Sequence, residues 1–216
     1  MTNSKIKVGV SLRVTYAEQY SEKRDALSHD WTLFFEGINV FPVLIPNTIS
    51  NVREFLEKMQ LDGFLLSGGD NIGDNPERDK TEQEIIKFGL DNNLPIFGVC
   101  RGMQAINKYF HGETEILANS KHVGKSHAVK IINSNFSSLL KTSSIEVNSY
   151  HNNIIKQDIL GNELEPFAVS FDDETIEGFF HRKFPIVGVM WHPERDQNHN
   201  NKIILSEVFH ENNFWN

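Results

Sequence analysis

Residues 97–104 read FGVCRGMQ, and the fold follows from this stretch. An apolar run, LPIFGV at 94–99, leads straight into Cys100, and a helical pattern takes over at 101–110. Gly98 and Gly102 flank the cysteine as G-x-C-x-G. A strand, a tight turn and a helix with a nucleophile at the turn make the elbow that raises a reactive side chain above the end of a sheet. Glycine is needed on both sides because a side chain there would collide with the neighbouring strand and helix. At a helix N-terminus the thiol also meets unpaired N–H groups and the positive end of the dipole, which favour the thiolate. The N–H of Arg101 points to where an oxyanion would form. Alone, the thiol is equally well read as a small buried hydrophobe.

Working outward, strands and helices alternate. Residues 6–12 and 63–66 are short apolar runs, the second ending in SGGD. A strand at 40–45 contains Pro42, which places it near a sheet edge. Trp31, Phe34, Phe35 and Ile38 share one helical face, as do Val52, Phe55, Leu56 and Met59. Residues 79–90 continue the rhythm as a helix. The second half is strand-rich, at 128–132, 145–147, 167–171, 175–181 and 186–190, and a helix at 200–209 closes the chain. This order predicts an α/β fold, an open, mainly parallel sheet flanked by helices, in a single domain over 1–216. Ligands of such sheets sit beyond the carboxyl ends of the strands, where both SGGD and Cys100 fall.

The chain has 216 residues and a formal charge of -8, which argues against nucleic acid or an anionic membrane surface as partner. One cysteine cannot form an internal disulfide, no apolar run reaches spanning length, and the N-terminus lacks a signal-peptide pattern. A cytoplasmic protein is expected. His111, His122 and His127 lack metal-ligand spacing, and SGGDNIG lacks the Lys-Ser/Thr of a P-loop. No metal and no cofactor are expected.

A thiol nucleophile needs a base, and the base needs an acid to fix its tautomer. The run VGVMWHPER at 187–195 supplies both at the end of a strand: His192 and, two residues on, Glu194, with Pro193 stiffening the link. HPE alone is a weak signal; together with the cysteine elbow it is a strong one. At the helix beginning near residue 79, Asp79 reads as the cap and Glu82 as its box partner, with Arg78 beside them. The alternative for these three is a substrate-side role.

With GVCRGMQ and GVMWHPE in hand, the chain resembles the class I glutamine amidotransferase-like family, whose members carry a Cys-His-Glu triad on an α/β sheet. Within it, PERDKTE (76–82), SHAVKI (126–131), NSYHNNII (148–155) and ETIEGF (174–179) resemble the free-standing γ-glutamyl hydrolases that act on γ-glutamyl-γ-aminobutyrate and related conjugates. The resemblance implies Cys100 as nucleophile, His192 as general base and acid, and Glu194 as its orienting partner. It implies an oxyanion hole from the backbone N–H of Arg101 with that of Gly68 or Gly69. It gives the glutamyl head to Gln104 and the backbone of Asn148, Ser149 and Tyr150, and sets His151 at the leaving-group side, unless that histidine is a satisfied loop residue. The implied reaction releases glutamate from a small γ-glutamyl substrate through a thioester. The leaving amine is γ-aminobutyrate or a phosphoramidate attached to a nucleotide. The other reading is a glutaminase subunit that feeds ammonia to a separate synthase partner. A non-catalytic binding module is disfavoured by the presence of all three triad residues.

Overall fold

The computed structural model describes residues 5–116, 123–196, 198–211 and 214–215. The chain begins with β1 (Ile6–Ser11), a hairpin of β2 (Arg13–Ala17) and β3 (Glu22–Ala26), then α1 (His29–Glu36) and β4 (Val40–Ile45). It continues through α2 (Val52–Met59), β5 (Gly63–Leu66), α3 (Pro76–Asp91), β6 (Ile96–Val99) and α4 (Arg101–Tyr109). After the short β7 (Glu115–Ile116) come β8 (Val123–Ile131), α5 (Ser134–Leu140), β9 (Ser144–Tyr150) and β10 (Asn153–Ile154). β11 (Leu164–Ser170), β12 (Ile176–His181), β13 (Ile186–Val189) and α6 (His199–Ser206) complete it, α6 running into a π-helical turn over Glu207–Glu211.

Nine strands form the main sheet in the order β4-β1-β5-β6-β13-β12-β11-β8-β9. The pairings from β4 to β13 are all parallel; those from β13 to β9 are all antiparallel. The order of the parallel half, β4-β1-β5-β6-β13, is that of flavodoxin-like doubly wound sheets. Pro42 lies in β4 at one edge, where its missing N–H interrupts no ladder on the open side.

β5, β6 and β13 read GFLL, IFGV and IVGV and are buried throughout, as strands covered on both faces must be. Their side chains alternate between two cores: Phe64 and Ile96 pack with Leu56, Ile85 and Ile106 under α2, α3 and α4, whereas Leu65 and Phe97 pack with Trp31, Phe35 and Ile204 under α1 and α6. Each such fully buried aromatic or aliphatic side chain contributes about 1.5–3 kcal/mol.

Two sequence expectations shift here. α3 starts at Pro76 behind Asn75, three residues earlier than expected, so Asp79 is not its cap and Glu82 is not a box residue. Their carboxylates turn inward to arginines instead. Residues 13–26, which carry no clear strand or helix period, form the β2–β3 hairpin, joined to the body where Asn47 N and Nδ2 both donate to Asp25. No helix among the described residues is long and apolar enough to cross a membrane.

Candidate active site

Register brings the site together. In the parallel half Leu66 is level with Gly98, and Val99 with Val189. The chain therefore leaves β5, β6 and β13 at one edge, delivering Ser67–Gly68–Gly69, Cys100 and His192 side by side. Cys100 has φ 50° and ψ −105°, a conformation that costs a non-glycine residue about 1–3 kcal/mol. Its N–H donates to Val189 O at 2.8 Å, which ties the elbow to β13. A Cβ on Gly98 would lie 2.8 Å from the Gly102 backbone, and one on Gly102 would overlap the Leu66 carbonyl. The two glycines hold β5, β6 and α4 close enough for the turn to exist.

His192 Nδ1 donates to Glu194 Oε1 at 2.8 Å, and both residues are buried. Burial opposes a charge on the imidazole, but hydrogen bonds to the Cys100 thiol and to Glu194 outweigh it and hold the His192 pKa up at about 9. The backbone of His192 is gripped from both sides by one amide: its N–H donates to Asn148 Oδ1 at 2.9 Å, and its carbonyl accepts from Asn148 Nδ2 at 2.8 Å. The Tyr150 ring stands edge-on to the imidazole at 5.8 Å.

Asn148 belongs to β9, four strand spacings from β13, or roughly 19 Å in a flat sheet. The contact forms because the β8–β9 ribbon runs on beyond the short stretch, Val129–Ile131, that pairs with β11. That free arm, with an irregularity between Val123 and Lys125, curls back over the ends of the parallel strands.

Two lobes open on either side of Cys100. One, about 170 Å³, is lined by Cys100, His192, Glu194, Gly68, Gly69 and Tyr150, with Arg13, Ser28 and Arg195 on its outer walls. The other, about 140 Å³, is lined by Cys100, Gly69, Asn71, Gln104, Tyr150, His151 and the amides of Asn152 and Asn153. Gln104 is buried, and its Oε1 accepts from Asn153 Nδ2 at 3.3 Å. His151 lines the Gln104 lobe, together with Cys100. Asn148 and Ser149 line neither lobe: the first holds His192 through its side chain, and the second is a fully buried residue of β9.

The loop at 67–69 is held from behind by buried charge. Arg78, fully buried, donates to Ser67 O at 2.6 Å, Gly68 O at 3.1 Å and Glu82 Oε1 at 3.0 Å, and pairs with Asp70. Glu82 also accepts from Ser11 Oγ at 2.8 Å and from Arg101, whose guanidinium reaches Asp79 as well. The side chain of Arg101 thus points into the protein, leaving its N–H at the first turn of α4, where no intrahelical acceptor exists. Burying these charges is tolerable only because each is paired and hydrogen-bonded.

Of the histidines read in sequence, His127 lies 3.6 Å from Glu177, and His122 is outside the described residues. Among the described residues no group of three or more His, Cys, Asp or Glu is placed to hold a metal ion. Three residues of this site escaped the sequence reading: the Asn148 side chain, Arg13 and Arg195. Arg195 directly follows the HPE tripeptide, and Arg13 interrupts an apolar run, but neither fact assigns a role without the fold.

A cysteine elbow beside an imidazole fixed by a buried carboxylate suits attack on an amide carbonyl. Residues 7–194 match the Peptidase C26 family. The chain is 32% identical over 209 residues to the gamma-glutamyl-CDP-amidate hydrolase of Campylobacter jejuni, covering 94% of this chain and 96% of that protein. It is 32% identical over 178 residues to the carbamoyl phosphate synthase small chain of Aquifex aeolicus, covering 82% of this chain but 43% of that one. A glutamine amidotransferase of Thermotoga maritima superposes with a TM-score of 0.70 at 14% identity, over 96% of this chain and 99% of that chain, a likeness of fold. The fold is that of class I glutamine amidotransferases, and the chain belongs to the peptidase C26 family as an amidohydrolase acting on C–N bonds.

Proposed function

We propose that the protein hydrolyses the γ-glutamyl amide bond of a small or nucleotide-linked conjugate through a thioester on Cys100. The observation that carries this reading is the position of Cys100 between an amide-rich lobe around Gln104 and a lobe holding His192 and Glu194. The first offers the several neutral donors and acceptors that a zwitterionic glutamyl head requires.

In this mechanism the Cys100 thiolate adds to the γ-carbonyl, and the oxyanion is met by the N–H of Arg101 with that of Gly68 or Gly69. The His192 imidazolium gives its Nε2 proton to the amide nitrogen as the C–N bond breaks. Water, deprotonated by the now neutral His192, then cleaves the thioester and frees glutamate. Glu194 holds Nδ1–H throughout, so that Nε2 faces the reaction. The name of the Campylobacter relative supports a phosphoramidate-type leaving group over a γ-aminobutyrate-type one.

The likeness to a carbamoyl phosphate synthase small chain favours a second reading, a glutaminase that supplies ammonia to a separate synthase. Glutamate release by the purified protein from free glutamine and from γ-glutamyl conjugates separates the two. Vigorous conjugate hydrolysis with neglect of glutamine supports the first; the reverse order supports the second. Cys100→Ala is expected to lower turnover on the order of 10⁴-fold or more while remaining folded. Near-normal glutamate release by that variant would sink the thioester mechanism.

A further inference from the structure

The lobe on the His192 side carries two cations that catalysis does not use. Arg13 stands on β2 and Arg195 directly follows Glu194, and both line the same cleft as Cys100. In a chain of net charge -8, neither is paired with a carboxylate among the described residues. The Arg195 guanidinium lies over the Tyr150 ring at 4.1 Å. Stacking engages the flat face of a guanidinium and leaves its in-plane N–H donors unspent. Arg13 is held at its base: its Cβ packs against Gly69, 3.0 Å from where a glycine Cβ would be built, and the β2–β3 ladder fixes its backbone.

We propose that Arg13 and Arg195 clamp the phosphate of the leaving group, so that the amide cleaved is a γ-glutamyl phosphoramidate of a nucleotide; this rests on the γ-glutamyl hydrolase reading above. Planar guanidinium forks match phosphate oxygens in charge and geometry. Both arginines sit on residues adjoining the reacting groups, one against Gly69 and one next to Glu194, which puts the anion close to the scissile nitrogen. A phosphoramidate has its charged oxygens on the phosphorus bonded to that nitrogen; in γ-aminobutyrate three methylenes separate the nitrogen from the carboxylate. The C–N bond breaks, the P–N bond stays, and the nitrogen leaves with the proton from His192.

The test compares kcat/KM for γ-glutamyl-CDP-amidate, γ-glutamyl-γ-aminobutyrate and the uncharged leaving group of γ-glutamyl-p-nitroanilide. The wild type, Arg13→Ala and Arg195→Ala are assayed. The wild type is expected to prefer the phosphoramidate. Each substitution should lower that value by about 10–100-fold, the size of one charge-assisted contact, while changing the anilide value less than about threefold. Pyrophosphate should compete with the anilide on the wild type and lose potency on both variants. Equal losses on all three substrates, or no wild-type preference for the phosphoramidate, overturn the clamp and leave the hydrolase reading standing. An arginine-dependent preference for γ-glutamyl-γ-aminobutyrate overturns the phosphate assignment. Failure of the wild type to cleave any of the three overturns the hydrolase reading itself.

Discussion

Cys100 and His192 meet where β6 and β13 end, and the cysteine changes the chemistry of the imidazole. The imidazole is buried, which disfavours its charge, yet the thiol and Glu194 keep it protonated up to about pH 9. Because this lies above the ordinary histidine value of about 6.5, the protonated pair stabilises the fold fully below that pH. The contribution is lost as pH rises through about 9. An NMR titration of the His192 ring should show a midpoint near 9 in the wild type. In Cys100→Ala it should move down towards the ordinary value, since the larger of the two supporting hydrogen bonds is gone and burial still opposes the charge. A midpoint that ignores this substitution would show that the thiol and imidazole are not coupled. Turnover that needs imidazolium to protonate the leaving nitrogen should decline across the same interval.

At the scale of elements, the loop after β5 shows how closely the pieces fit. A Cβ on Gly68 would stand 2.7 Å from His192 Cε1. The obstacle is a side-chain ring and not backbone, so Gly68→Ala should fold but displace the imidazole. A displacement of about 1 Å from productive geometry costs on the order of 10²-fold in rate. The expected result is a loss of that size in kcat/KM with a denaturation midpoint close to wild type; wild-type activity would contradict the close fit. The elbow and the HPE strand end were legible in the sequence because both are local: glycines, a strand and a helix start lie within a few residues of the reacting group. Asp79 and Glu82 misled for the converse reason. Their spacing fits a helix cap, but the partners that bury them, Arg101 and Ser11, are set by tertiary packing. The β2–β3 hairpin went unread because its strands are largely exposed and its turn, AEQYSE, offers neither glycine nor proline.

Across the whole molecule the two halves of the sheet divide the work. The parallel half supplies Cys100, His192 and the loop beside them, all at strand ends. The antiparallel half sends back the β8–β9 ribbon, which brings Asn148 to the His192 backbone and places Tyr150 between the lobes. Asn148→Ala removes both hydrogen bonds of that grip without touching the partners of the imidazole itself. It should lower kcat/KM on the order of 10²-fold while leaving the His192 midpoint near 9. A midpoint that falls with activity would instead mean that the ring had left Cys100. That long-range grip is invisible in sequence, because it depends on how far a ribbon curls. One further property belongs to the whole chain. Its only cysteine is the one at the elbow, so the protein has no background of bystander thiols. A single mass increment after alkylation therefore counts reduced elbow thiols directly, and the fraction left unmodified under denaturing conditions reads as the fraction oxidised.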